Sequence, residues 1–142
     1  MPGWLAPHSP ATPAFTLRFF MFNPYDQKQV YEATVHASVC AVREGFPHLA
    51  IRDIIEPPHE WFDAALARQI VMHLVICEFG WPKRRVVEME ERSREAINRA
   101  LRTIDNRMRH DRFAGQYMAM AERARTLLFI RSTGAEDTTE AA

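Results

Sequence analysis

No stretch of this chain is apolar for long enough to cross a bilayer. The best window, residues 70–76, is about half the required length and contains His73. The opening MPGWLAPHSPATPAF lacks the basic segment and continuous apolar core of a secretory leader, so a cytoplasmic protein is expected. Cysteine is scarce. Cys40 and Cys77 both fall inside apolar helical patterns and are expected as two buried, reduced thiols. Nothing in their spacing supports a disulfide or supplies partners for a metal. Net charge is missing too, with 18 Lys and Arg against 18 Asp and Glu. That is awkward for a nucleic-acid partner, because phosphate attraction supplies much of such affinity.

Catalytic signatures are also absent. There is no HExxH, no pair of catalytic carboxylates, no nucleophile beside an obvious base and no GxxxxGK[ST] phosphate loop. His36, His48, His59, His73 and His110 are scattered. His36 and His73 lie on or beside apolar faces and read as structural histidines rather than ligands. No enzyme activity, cofactor or metal is expected. No internal repeat or sustained heptad is present.

What is present is enough apolar residue, 47 %, to fill one core. The pattern divides the chain into an N-terminal arm (1–23), a helical domain (24–130) and a flexible acidic tail (131–142). In the arm, Phe15, Phe19, Phe20 and Phe22 imply packing, and Asn23-Pro24 ends the segment. The first helix is expected at 24–44 with Asp26 near its start and Gly45 as its stop. A short one follows at 48–55, broken by Pro57-Pro58. The strongest runs 61–79, so broadly apolar that it should be central, with Gly80 as terminator. Pro82 suits the first turn of a helix at 82–90. Ser93 can cap the next, whose seam is Ile97, Ala100, Leu101, Ile104 and Met108. Gly115 and the charged MRHDR segment favour a break before a last helix at 112–129. The fold class is therefore all-α, a compact helical bundle.

Residues 82–108 have the form of a helix-turn-helix. Such modules set one helix across the phosphate backbone and the next in the major groove. The open face of the second helix carries Arg94, Glu95, Asn98, Arg99 and Arg102. Arginine can pair with guanine and asparagine with adenine in the major groove. Arg94, Glu95 and Asn98, nearest the helix start, are the base-reading candidates. Lys83, Arg84, Arg85, Arg92, Arg99 and Arg102 are the phosphate candidates. Charge distribution softens the objection from neutrality: residues 68–112 hold eleven Arg and Lys against seven Asp and Glu. The opposing reading is a solvated face, with Glu88, Glu90, Glu91 and Glu95 repelling phosphate unless arginines pair with them.

The run ALARQIVMHL (65–74, from Ala65-Leu66-Ala67-Arg68-Gln69-Ile70) resembles the central helix of the C-terminal DNA-binding domain of the bacterial chromosomal replication initiator. Val86-Val87-Glu88-Met89, Arg92-Ser93-Arg94, and Ile97 with Ala100, Arg102 and Ile104 are similar to that family's recognition segment. Ile51-Arg52-Asp53-Ile54-Ile55 looks like its first short helix. The resemblance implies an initiator-like fold, duplex DNA as partner, and Arg68 as a further phosphate contact. The departures are specific. An acid, a histidine and two threonines of the family fall on Ser93, Arg94, Glu95 and Ala96, so a different DNA sequence is implied. The family's basic loop is replaced by IEPPHEWFDAA, and the nucleotide-binding motor is missing. A transcriptional or replication regulator is the expectation. The alternative is a non-enzymatic protein-interaction module that has lost DNA recognition, contacting a partner or a second copy through the Phe-rich N-terminal segment or the C-terminal helix. No membrane partner is expected.

Overall fold

The computed structural model describes residues 23–134, and every regular element among them is helical. In chain order they are α1 (Gln27–Gly45), α2 (Ile51–Ile55), α3 (Phe62–His73), α4 (Lys83–Glu90), α5 (Arg94–Arg107) and α6 (Asp111–Thr133). The N-terminal arm up to residue 22, with its four phenylalanines, and the tail from residue 135 lie outside the described residues. The structure bears out an all-α, compact multi-helix bundle. No helix in it is long and apolar enough to cross a membrane.

Local chemistry accounts for most boundaries. Asp26 opens α1 by accepting from the backbone N–H groups of Lys28 and Gln29. Ser93 opens α5 the same way, its hydroxyl accepting from Ala96 N–H at 3.0 Å. Gly80, at φ +76°, ends the third helical run in a conformation that costs glycine little. Pro82 sits one position earlier than expected, as the N-cap of α4 rather than in its first turn. Gly115 lies inside α6; the break comes at residues 108–110, where His110 caps α6. α6 also runs on to Thr133, past the expected end of the domain.

α3 is the centre. Ala64, Ala67, Ile70, Val71 and Met72 are all buried on it, which leaves no solvated face over most of its length. It packs on α1, α2 and α5. α1 and α6 pair antiparallel at close range, as Glu44 meets Arg123 at one end and His36 meets Arg131 at the other. Small residues permit the approach: Ala37 and Ala41 on α1 face a partner carrying Ala121 and Ala124, all buried. At the end of this seam a Cβ on Gly45 would collide with the tip of Met120.

The run expected as one helix to residue 79 changes pitch. Leu74–Glu78 is a π turn, with Phe79 N–H donating to the Leu74 carbonyl at 3.0 Å. The wider turn shifts later residues off the apolar stripe that leads through Ile70 and Leu74. This corrects the expectation for Cys77, which is exposed rather than buried; Cys40 is half-buried.

α4 and α5 are joined by a three-residue turn, 91–93, whose first residue, Glu91, adopts φ 53°. A left-handed conformation is unfavourable for a residue with a Cβ. Two substitutions test this turn by urea unfolding. Ser93→Ala should cost about 1 kcal/mol through loss of the cap. Glu91→Gly should instead raise stability by about 0.5–1 kcal/mol, since glycine adopts the same geometry freely.

Candidate nucleic-acid interface

α5 is amphipathic, and its position follows from its buried seam. Ile97, Ala100, Leu101 and Ile104 recur at helical spacing and are buried against α3, with Met108 partly buried beyond them. That leaves Arg94, Glu95, Arg99 and Arg102 exposed on the other side.

Two polar anchors fix the helix at either end. At the front, the last residue of α4 is pinned from both sides. Arg68 Nη2 of α3 donates to Glu90 Oε1 at 2.5 Å, and the hydroxyl of Tyr31 in α1 donates to Glu90 Oε2 at 2.6 Å. The side chains of Arg68 and Glu90 are only 10 % and 14 % exposed. Burial pushes the Tyr31 phenol well above its ordinary value, and the Glu90 hydrogen bond and charge add to that, against a smaller opposing effect of Arg68. Tyr31 thus keeps the proton it donates. Its ring also stands edge-on to Trp81 at 5.1 Å.

At the rear, His73 links three helices. Its Nε2 lies 2.8 Å from Asp105 Oδ1 on α5, and its Nδ1 lies 2.6 Å from the Tyr117 hydroxyl on α6. Nε2–H donates to the Asp105 carboxylate, and in the neutral tautomer that this contact selects Nδ1 accepts from the Tyr117 hydroxyl. Burial is the main reason the Tyr117 phenol is held well above its usual value, followed by the charges of Glu78, Cys77 and Asp105, against Arg125. His73 is therefore a hydrogen-bonded core histidine, as its apolar surroundings in the sequence indicated. His36, at the surface, meets Arg131; desolvation first, and Arg131 second, lower its proton affinity.

The other candidate residues divide. Arg84, Arg92, Arg94, Arg99 and Arg102 are exposed and meet no carboxylate among the described residues. Glu88, Glu91 and Glu95 pair with none of them. Lys83 reaches across from α4 and donates to Asn98 Oδ1 at 3.0 Å, so the expected adenine reader is tied to a neighbouring helix. Arg85 is half-buried, and its Nε is shielded without a partner. Arg68, the further phosphate candidate, is largely buried and faces Glu90 within the fold. Its position on α3 is buried, so its charge is met by a carboxylate inside the fold.

Arg92 and Arg99 also line one cleft with Arg68, walled by residues 57–60. The sequence offered no sign of this cleft, because its parts come from three separate segments. Elsewhere, no group of three or more His, Cys, Asp or Glu among the described residues is placed to hold a metal ion. Cys77, though exposed, has its thiol pushed up by desolvation, then by Asp105 and Glu78, outweighing Lys83. A thiol held protonated is a poor nucleophile. Comparison with family models, curated proteins and solved structures yields no match to this chain. The likeness to the initiator domain rests on the residues quoted for it.

The two anchors are separable by unfolding measurements. Glu90→Ala strands the Arg68 charge and should cost about 3–5 kcal/mol, whereas Glu88→Ala, exposed and unpaired, should stay within about 0.5 kcal/mol of wild type. Tyr117→Phe leaves His73 Nδ1 without its donor and should cost about 1–3 kcal/mol. Asp105→Asn keeps an acceptor oxygen and should cost less than Tyr117→Phe.

Proposed function

We propose that this protein binds duplex DNA in a sequence-selective way and acts in the cytoplasm as a transcriptional or replication regulator. In this reading α4, the 91–93 turn and α5 form a helix-turn-helix, related in fold to the initiator C-terminal domain. α5 enters the major groove with Arg94 and Glu95 leading and Asn98 behind them. Arg84, Arg92, Arg99 and Arg102 meet phosphates, and Lys83 does so from its place beside Asn98.

The observation that carries this reading is the state of the α5 arginines. Arg94, Arg99 and Arg102 stand exposed and without carboxylate partners, although Glu88, Glu90 and Glu95 lie on the same two helices. Glu95 stands four positions before Arg99, a spacing at which an ion pair can form, and the two do not meet. Glu90, the one of the three that is not exposed, is taken up by Arg68 and Tyr31. Its charge is thereby offset, and the objection that it repels phosphate weakens. Neutral overall charge is no obstacle, since a basic surface can form on a neutral protein.

The interaction-module reading draws on a different surface. Met118 and Phe129 of α6 are 48 % and 64 % exposed, and Phe62 at the start of α3 is 64 % exposed. Large apolar side chains in contact with water can mark a partner surface.

Fluorescence anisotropy with random and genomic duplex fragments across salt decides between them. Binding should appear at low salt and fall steeply as salt rises. Arg94→Ala/Arg99→Ala should weaken it by about tenfold or more. Lys83→Ala should weaken all sequences alike and reduce the salt slope by about one. Absence of any binding at low salt overturns the DNA reading and leaves the apolar surface as the one to pursue.

A further inference from the structure

α6 lies along α1 and is joined to α3 where Tyr117 donates to His73. Beside Tyr117 the three helices do not close on one another. A cavity of about 260 Å³ remains, bounded by Phe46 after α1, Leu66 and Ile70 on α3, and Phe113 and Met120 on α6. An apolar void of about 150 Å³ is already enough to hold a benzene-sized ring. Atoms that line an empty space lack packing contacts, so an apolar body of the right size is stabilised there. The walls suit an aromatic one in particular. Phe46, Phe113 and Tyr117 present rings, and the thioether of Met120 favours contact with a ring.

One charge borders this space. Arg107, the last residue of α5, is half-buried at the cavity, and no acid lines it. The guanidinium lies 5.5 Å from the ring centre of Phe62 and 5.9 Å from that of Phe113. Ring faces attract the charge but supply no oxygen to accept its N–H groups. No carboxylate among the described residues meets it either. Its nitrogens are not shielded, in contrast to Arg68 Nε, so a ligand can reach them. An apolar, ring-lined cavity thus carries one accessible cation that lacks an anion.

We propose that this cavity binds a small aromatic carboxylate, its ring among Phe46, Ile70, Phe113 and Met120 and its carboxylate on Arg107. A planar guanidinium matches a carboxylate through two parallel N–H···O bonds. The carboxamide of Gln116, also in the lining, can add a neutral donor. This site goes beyond the duplex reading and does not rest on it, because Arg107 belongs to neither the base-reading nor the phosphate candidates.

Calorimetric titration of the intact protein with benzoate, benzyl alcohol and acetate tests the assignment. Benzoate should saturate at one site. It should bind about tenfold or more tighter than benzyl alcohol, which lacks the charge, and than acetate, which lacks the ring. Arg107→Met keeps a long side chain and should weaken benzoate by about tenfold or more while leaving benzyl alcohol unchanged. Arg109→Met, at an exposed position outside the cavity, should leave benzoate affinity unchanged. Methyl NMR of the wild-type protein gives a second readout that needs no variant. Benzoate should shift the methyl signals of Met120 and Ile70 but not that of Met118, which is exposed on the same helix. The proposal is overturned if benzoate does not saturate, if benzyl alcohol binds as tightly, or if Arg107→Met loses no more affinity than Arg109→Met. It is equally overturned if the Met120 methyl stays in place at saturating benzoate.

Discussion

A charge buried in the fold must be met by another, and here that rule ties three helices to one carboxylate. Glu90 accepts from Arg68 on α3 and from Tyr31 on α1 at the point where α4 gives way to the turn before α5. Such a pair is not evidence of high stability, because the cost of removing both charges from water offsets much of their attraction. What it supplies is geometry. Either partner left alone would be unfavourable, so the end of α4 has one position relative to the core. The turn that follows then sets where α5 begins.

The rest of α5 is placed by two further constraints of different kinds. Its seam buries Ile97, Leu101 and Ile104 against α3, which settles the face it presents but not its position along its own axis. His73 supplies that second constraint by meeting Asp105 on α5 and Tyr117 on α6 with its two ring nitrogens. A hydrogen bond is directional where apolar packing is not. The arginine-bearing side of α5 is therefore held on a supported helix, with Arg94, Arg99 and Arg102 exposed on it.

Much of the fold was legible because its signals are local. Asp26 and Ser93 cap helices through residues two or three positions away, and Gly80 stops a helix through its own backbone angle. The seams of α3 and α5 show as helical periodicity. The π turn was hidden because the apolar pattern across residues 70–77 reads equally well at α pitch, and it moved Cys77 to the surface. For the candidate site, spacing correctly separated the exposed Arg94, Arg99 and Arg102 from the buried seam. It could not show that Arg68 is matched internally by Glu90, 22 positions along the chain, or that Lys83 is matched by Asn98, 15 positions along.

By itself, the sequence determined the helical class, the order of the helices, most of their ends and the polar face of α5, since each depends on neighbours within a turn or two. The tertiary structure alone decided which charges are spent inside the fold and which remain outside. That division depends on packing partners from distant segments: a buried arginine needs a carboxylate, and only the folded chain brings Glu90 to Arg68. It also created the cleft beneath Arg92 and Arg99, because no single helix has a concave surface.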